Sequence, residues 1–319
     1  TGSMTRTILI VDDQPADRTL LEDVLQAQGF TTATASDGEV ALDTFASLQP
    51  DLVLLDAMMP RVTGYDVCRQ LKGDPRSRLT PIVLVTSMVD TQDRIRALQA
   101  GADDILGKPV DRAELLARVR SLLNLKAYTD ELERAESVLY ALALSIEGKD
   151  PYTEGHCERL SKYSVELGRR IGLGAEELTA LNRGGVVHDI GKVAIPDAIL
   201  LKPGRLKPEE MRIVREHPIV GERICAPLKS FRNVLPIIRN HHEKLDGTGY
   251  PDGLRGHEIP VTARVMQIVD VFDALTTERP YKQAFALADA LQMMRDEVKR
   301  GWWDADIFRE FEKMVNCPA

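Results

Sequence analysis

The six histidines of the chain all lie at or after residue 156, several of them beside carboxylates, in a pattern suited to binding metal ions. These residues are His156, His188 followed by Asp189, His217, the pair His241 and His242, His257, and Asp270 downstream. Imidazole with carboxylate suits Fe, Mn, Ni or Zn better than Ca²⁺ or Mg²⁺ alone. Two such metals about 3.5–4 Å apart can activate water and neutralise the charge of a phosphodiester. The pattern indicates metal-dependent hydrolysis, although a lone histidine on a helix is more often packed than a ligand.

A second set of residues falls at the ends of short apolar runs in the first half of the chain. The set consists of Asp12, Asp13, Asp56, Thr86 and Lys108. Each alone has an ordinary explanation as a helix cap, a strand end or a solvated loop residue. Carboxylates this close repel one another unless a hard cation such as Mg²⁺, which also takes phosphate oxygens, lies among them. Together the five residues predict a phosphate-accepting pocket.

Two kinds of element would position these residues. In the first half, apolar runs at residues 7–11, 31–35, 52–55, 82–85 and 104–106 alternate with helical spacing, which predicts a parallel sheet with helices on both faces. Ligands of such sheets bind at the carboxyl ends of the strands, where the second set falls. Beyond Tyr140, helical spacing at residues 160–171, 176–189, 208–224 and 262–275 predicts an all-helical domain.

The first half, over residues 4–125, resembles the receiver domain of two-component response regulators, an α/β fold with a five-stranded, flavodoxin-like parallel sheet. The resemblance implies that Asp56 accepts a phosphoryl group from a sensor histidine kinase. The Mg²⁺ and phosphate pocket would consist of Asp12, Asp13, the Met58 carbonyl, Thr86 and Lys108. The family usually has an aromatic residue three positions before the lysine, and here that position is Ile105. The route by which phosphorylation acts on the rest of the chain therefore stays open.

Two runs in the second half, His188-Asp189-Ile190-Gly191-Lys192 and residues 241–251, resemble the HD-GYP branch of the HD phosphohydrolases, a match that extends over residues 140–315. That family hydrolyses cyclic di-GMP, usually with Fe or Mn, to pGpG and sometimes on to GMP. By resemblance, one metal would be held by His156, His188, Asp189 and Asp270. The other would be held by Asp189, His217, His241 and His242, with Asp189 bridging.

The same resemblance assigns residues to the substrate. Lys192 would lie beside the scissile phosphate, and Arg279 with Lys282 would hold a guanine or the other phosphate. Tyr250 is either a wall of the pocket or a docking surface for partner domains such as GGDEF-type cyclases. His257 falls outside the pattern.

One departure from the family concerns the number of metals. Members with a third metal carry a glutamate four residues before the first histidine, and here Tyr152 occupies that position. Glu154 lies only two residues before His156, so on a helix it would point about 200° away. We therefore expect two metals, with pGpG as the main product and a slow second step.

The segment between the domains has a stripe of apolar residues at alternating spacings of three and four. The stripe is Leu125, Tyr128, Leu132, Ala135, Leu139, Leu142 and Ile146. It is compatible with a parallel dimer helix over residues 125–134 or with a helix packed on the next domain. We expect a receiver domain at 4–125, a helical linker at 126–139 and an HD-GYP domain at 140–319.

Composition limits the remaining classes. The chain of 319 residues is 44% hydrophobic and 28% charged with a net charge of −8, which fits two globular domains and argues against duplex nucleic acid as partner. Four separated cysteines and the lack of an 18-residue apolar stretch predict a cytoplasmic protein without a membrane span. Two rival functions stay open: a catalytically quiet cyclic-dinucleotide receptor or scaffold, and a hydrolase of another phosphoester.

Overall fold

In the computed structural model, which describes residues 6–87, 91–148, 155–278 and 283–316, five apolar runs of the first half form one parallel sheet. The strands are β1 (Thr7–Val11), β2 (Thr31–Ala35), β3 (Leu52–Asp56), β4 (Ile82–Thr86) and β5 (Asp104–Gly107). Their order in the sheet is β2-β1-β3-β4-β5, and every neighbouring pair is parallel. The predicted five-stranded receiver fold is confirmed.

Alternation of side chains along each strand fills two separate cores. Ile8 and Ile10 pack on one face of the sheet, while Leu9 and Val11 pack on the other. The helices are α1 (Pro15–Gln26), α2 (Gly38–Leu48), α3 (Gly64–Gly73), α4 (Thr91–Ala100) and α5 (Arg112–Glu147). Helices α1 and α5 cover the first face, and α2, α3 and α4 cover the second. Because both faces are covered, the central strands β1, β3 and β4 are largely apolar and buried, whereas the edge strand β2 contains three threonines.

The strand order reverses between β1 and β3, which lie side by side although β2 separates them in sequence. In doubly wound sheets, this switch point opens a crevice at the carboxyl ends of the strands. Asp12 follows β1 directly and Asp56 is the last residue of β3. The topology therefore brings these two carboxylates to one crevice.

Helix α5 is a single helix of 36 residues that passes through the predicted linker. The chain divides into two compact units between Ala135 and Glu136, inside this helix. Leu125, Tyr128 and Leu132 are exposed. Beyond Val138, the apolar residues of the stripe pack against the core of the second unit, as one of the two interpretations expects. The domain boundaries themselves stay a prediction.

The described part of the second unit is built from helices, as predicted. They are the end of α5 followed by α6 (His156–Arg170), α7 (Ala175–Val187), α8 (Asp197–Leu200), α9 (Pro208–Val214), α10 (His217–Cys225), α11 (Leu235–Asn240), α12 (Val261–Thr276), α13 (Leu287–Lys299) and α14 (Ala305–Asn316). Short 3₁₀ segments lie at Ile190–Ala194, Lys229–Phe231 and Gly256–Glu258. An isolated antiparallel bridge joins Asp246 to Arg255.

The sequence predicts one helical segment over residues 208–224, whereas the structure has two helices, α9 and α10, with a break at Arg215 and Glu216. The reason is Pro218, which has no N–H and whose ring would clash with the carbonyl of Val214 in a continuous helix. The break frees the Val214 carbonyl, and the His217 Nδ1 atom lies 2.8 Å from it. The interruption thus fixes the orientation of a candidate metal ligand.

None of the helices in the described ranges is sufficiently long and apolar to cross a membrane.

Candidate functional site

Three carboxylates of the first unit converge at the switch point. Oxygens of Asp12, Asp13 and Asp56 lie within 4.8 Å of one another, a spacing that one cation can bridge. The Lys108 ammonium donates to Asp12 at 2.7 Å and to Asp56 at 2.6 Å. It also donates to Asp17 at 2.8 Å, a contact that the sequence did not indicate. The pocket therefore combines a cation site with a fixed positive charge.

The remaining predicted residues of this pocket lie at the same sheet edge. The Met58 N–H donates to Asp56 Oδ1 at 2.9 Å, so the turn after β3 holds the Asp56 carboxylate. Thr86 is buried as the last residue of β4, next to Asp56 in the sheet order. Ile105 is half-buried on β5 and packs against the apolar cluster on the α2, α3 and α4 face.

The charged groups of this pocket alter one another's pKa values. Burial raises the pKa of Asp12 above its ordinary value, although Lys108 opposes the shift. Burial would lower the pKa of Lys108, but its three carboxylate partners outweigh burial and raise it. A carboxylate cluster of this kind is suited to a hard, oxygen-liganded cation.

The second unit brings the predicted histidines into two groups that share one carboxylate. One group contains His156, His188 and Asp189, and the other contains Asp189, His217, His241 and His242, with candidate ligand atoms in each group within 4.8 Å of one another. Asp189 Oδ1 lies 3.1 Å from His217 Nε2, and Asp189 Oδ2 lies 3.3 Å from His188 Nε2. The two oxygens of one carboxylate thus face the two groups. Asp270 Oδ1 lies 3.7 Å from His156 Nε2.

Four of these rings are anchored in the same way, through Nδ1 to an oxygen acceptor. His217 Nδ1 lies 2.8 Å from the Val214 carbonyl and His241 Nδ1 lies 2.9 Å from the Ile238 carbonyl. His188 Nδ1 contacts the Gly185 carbonyl at 3.3 Å, and His156 Nδ1 lies 2.7 Å from Asp273 Oδ2. Since these oxygens only accept, each Nδ1 carries the proton. The Nε2 lone pairs are left for the cluster, as in metal-bound histidines.

Some buried polar atoms at the centre of the cluster lack hydrogen-bond partners, and this bears on whether the residues fit a metal ion. His188 Nε2 and Asp189 Oδ1 are buried and have no hydrogen-bond partner among the described residues. His217 Nε2 and His241 Nε2 lie 3.3 Å apart, although neither carries a proton in the anchored tautomers. Buried polar atoms are rarely left unpaired unless an ion or a ligand satisfies them. The residues present therefore fit a metal centre.

The protonation of the rings follows from burial and from Asp189. Burial, then the neighbouring imidazoles, lowers the pKa of His241 and of His242, so both are held neutral, the form that binds a metal. Burial alone would lower the pKa of His188, but the Asp189 carboxylate outweighs burial, and the pKa is raised. Burial would raise the pKa of Asp189, but Lys192 and His188 hold it well below its usual range.

Lys192 and Tyr250 border the cluster. The Lys192 ammonium donates to Asp189 Oδ2 at 2.5 Å from the 3₁₀ turn that follows α7. The Tyr250 ring stacks on His242 at 4.8 Å between centroids, and the guanidinium carbon of Arg215 lies 5.2 Å from the Tyr250 centroid. The predicted Arg279 and Lys282, like Tyr152 and Glu154, lie outside the described residues. His257 is exposed, in line with its exclusion from the pattern.

Two glycines allow the loops of the site to approach closely. A Cβ on Gly191 would lie 1.9 Å from the His217 carbonyl oxygen, so the turn that carries Lys192 touches the backbone of a candidate ligand. A Cβ on Gly249 would lie 2.4 Å from Glu243 Cα and from the Lys244 nitrogen. Side chains at either position would force these segments apart.

Several residues that support the site were not found from the sequence. Asp273, one helical turn after Asp270, contacts His156 and accepts from Arg159 Nε at 2.5 Å. Glu243 is fully buried beside the histidine pair and accepts from three backbone N–H groups, those of Asp252, Gly253 and Leu254. The spacing of Asp273 from Asp270 was the only sequence signal for it, because both face one side of α12.

Comparison with known proteins gives a matching family model for each of the two parts of the chain. The family model of the response regulator receiver domain matches residues 8–120, and that of the HD domain matches residues 137–307. The chain is 38% identical over 307 residues to "Cyclic di-GMP phosphodiesterase response regulator RpfG" of Xanthomonas campestris pv. campestris, covering 89% of this chain and 81% of that protein. It is 36% identical over 319 residues to a "Probable cyclic di-GMP phosphodiesterase" of Vibrio cholerae, covering 89% and 72%. It is 37% identical over 181 residues to the Vibrio cholerae "3'3'-cGAMP-specific phosphodiesterase 3", covering 57% and 39%.

Proposed function

Because this chain belongs to the family of response regulators that join a receiver domain to an HD domain, we propose that it hydrolyses cyclic di-GMP at a binuclear metal site and that phosphorylation of Asp56 regulates this activity. Two relatives that align with most of the chain are named as cyclic di-GMP phosphodiesterases, one of them as a response regulator. These names support the substrate, and the site supports the chemistry.

The observation that carries the proposal is the arrangement of Nε2 atoms around Asp189. Four imidazoles with protonated Nδ1 atoms present Nε2 lone pairs towards a carboxylate whose two oxygens face different groups. This is the donor set that two adjacent transition metals require.

The proposed ligands divide between two metals. His156, His188, Asp189 and Asp270 would hold one ion, and Asp189, His217, His241 and His242 would hold the other. Fe or Mn fits this imidazole and carboxylate set, and Ni or Zn is compatible with it. When bound, the metals supply an activated water and neutralise charge on the phosphodiester. We propose two ions, since Tyr152 stands where a third site would need a glutamate.

The chain's own residues bind and orient the substrate. Lys192, held against Asp189 Oδ2, presents a positive charge beside the cluster and would contact a scissile phosphate oxygen. Tyr250 stacks on His242, which supports its interpretation as a wall of the pocket. Arg279 and Lys282 are proposed to hold a guanine or the second phosphate. We propose pGpG as the main product, with slow further hydrolysis to GMP.

The first unit would act as the regulatory part. Asp56 would accept a phosphoryl group from a sensor histidine kinase, with Mg²⁺ held by Asp12 and Asp13. Lys108, already bonded to Asp56, would pair with the phosphoryl oxygens. We further propose a homodimer through the exposed residues Leu125, Tyr128 and Leu132 of α5, whose spacing is that of a short coiled coil.

The test separates an enzyme from a quiet receptor. Asp189→Ala removes the proposed bridging carboxylate, so we expect hydrolysis of cyclic di-GMP to be lost while nucleotide binding is retained. The matched control, Asp289→Ala, removes an exposed aspartate from the start of α13 and should hydrolyse as the wild type does.

Two outcomes would overturn the proposal. Wild-type protein that binds cyclic di-GMP without turnover, under every divalent metal tried, would identify a receptor. Faster turnover of 3'3'-cGAMP than of cyclic di-GMP would instead assign the substrate class of the relative that aligns with 57% of the chain. Both nucleotides should therefore be assayed side by side.

A further inference from the structure

The first turn of α6 carries His156 and is not capped by its own N-cap residue. Its N-cap residue is Gly155, with a φ of 71°, and makes no side-chain hydrogen bond to the helix. The first N–H groups of a helix have no partner within the helix and need acceptors from elsewhere. His156 is the first residue of this helix. The position of the first helical turn therefore contributes to the direction in which the His156 imidazole points.

The missing cap comes from the last residue of α5. Glu147 Oε1 accepts from the Cys157 N–H at 3.1 Å, although the two residues are ten positions apart. A carboxylate at this place also complements the positive end of the α6 dipole. The helix that ends at Glu147 begins at Arg112, in the first unit, so this contact ties a proposed metal ligand to the segment that joins the two units.

The same end of α5 closes one side of the metal cluster. A cavity of about 50 Å³ lies there, and its walls include Ile146, Glu147, His156, His188, Asp189 and Lys192. Among the described residues that line it, the candidate ligands all belong to the group of His156, His188 and Asp189. His217 and His241, in the other group, are each anchored by the backbone carbonyl three residues earlier in sequence.

We propose that Glu147 is a positioning residue for the metal held by the group of His156 and His188, and that it acts by hydrogen bonding to the first turn of α6. This inference rests on the binuclear site proposed above. It goes further by making the two metal sites unequal, since only one of them depends on the end of α5.

The test uses the full chain after treatment with chelator. Mn²⁺ is titrated into this protein, and binding is measured by isothermal calorimetry. Wild-type protein should show two sites. In Glu147→Ala, one site should weaken about fivefold, the equilibrium factor for a lost helix cap, while the other keeps its affinity. Glu147→Gln keeps an oxygen that accepts from the Cys157 N–H, and it should restore the weakened site.

The matched control is Glu177→Ala. Glu177 Oε2 accepts from the Gly174 N–H at 2.9 Å and caps the start of α7, at the opposite end from His188. It should lower the melting temperature about as much as Glu147→Ala without changing either Mn²⁺ affinity.

Each result has one meaning. Equal Mn²⁺ affinities in Glu147→Ala and wild type would overturn the role of Glu147 and leave the binuclear site intact. Weakening of both sites, or the same weakening in Glu177→Ala, would show a general loss of stability and would also overturn it. Wild-type protein without two Mn²⁺ sites would instead refute the proposed function.

Discussion

Asp273→Asn tests whether the site depends on the carboxylate that holds His156. Asp273 is 3% exposed, with Oδ2 at 2.7 Å from His156 Nδ1 and Oδ1 at 2.5 Å from Arg159 Nε. Burial would raise the pKa of Asp273, but hydrogen bonds from His156 and Arg159 lower it to about 2. At neutral pH the group is therefore an anion that accepts from Nδ1–H and leaves the Nε2 lone pair for a metal.

The asparagine removes this charge and one acceptor at nearly constant volume. Its amide oxygen can accept from His156 or from Arg159, while its amide nitrogen must face the other donor. Loss of such a carboxylate behind a histidine ligand typically weakens metal binding 10- to 100-fold, or about 1.4–2.8 kcal/mol. We expect a weakening of this size for one of the two metals and little change for the other.

The assay is the titration of chelator-treated protein with Mn²⁺, compared with Asp304→Asn. Asp304 pairs with Arg264 Nη1 at 2.5 Å in the same unit and caps the first turn of α14. This control loses a partly buried ion pair of a similar kind, so it should be destabilised with both Mn²⁺ affinities unchanged. Unaltered Mn²⁺ affinity in Asp273→Asn, or an equal loss in the two variants, would refute the reasoning.

Two further predictions concern the substrate and the regulation. Arg215→Ala should raise the KM for cyclic di-GMP about tenfold with little change in kcat, because an exposed guanidinium beside Tyr250 can bind a phosphate in the ground state and the transition state alike. The exposed Arg223→Ala should leave both constants unchanged, and an equal effect of the two substitutions would argue against a specific contact. Beryllofluoride, a phosphoryl mimic at Asp56, should change the hydrolysis rate or the oligomeric state. The reason is that Lys108 would bind the mimic in place of its present hydrogen bonds to Asp12 and Asp56. Absence of both changes, measured by product chromatography and light scattering, would contradict the regulatory role.

The sheet and its pocket could be predicted from the sequence because their signals are local. Each central strand is a nearly continuous apolar run, and a parallel sheet aligns the carboxyl ends of its strands at one edge. Asp12 and Asp56 could thus be placed together without a structure. The contact between Lys108 and Asp17 could not, because it depends on how the first turn of α1 faces β5.

The site of the helical unit is harder to predict from the sequence because it depends on tertiary packing. The family motifs supplied the ligands, whereas the periodicity of residues 208–224 hid the helix break that Pro218 causes and that orients His217. Glu147 contacts Cys157 although the two residues are ten positions apart, and no helical or strand period marks such a contact. Supporting residues of this kind are found from hydrogen bonds rather than from spacing.

Turnover of cyclic di-GMP by the full chain, with and without metal, tests the central claim most directly. Protein treated with chelator should be inactive, and adding Mn²⁺ or Fe²⁺ should restore conversion to pGpG. Chromatography of the products measures this conversion. Hydrolysis that continues unchanged after complete metal removal would contradict the binuclear site. Tight binding of cyclic di-GMP without turnover by the metal-loaded protein would contradict the enzymatic function itself.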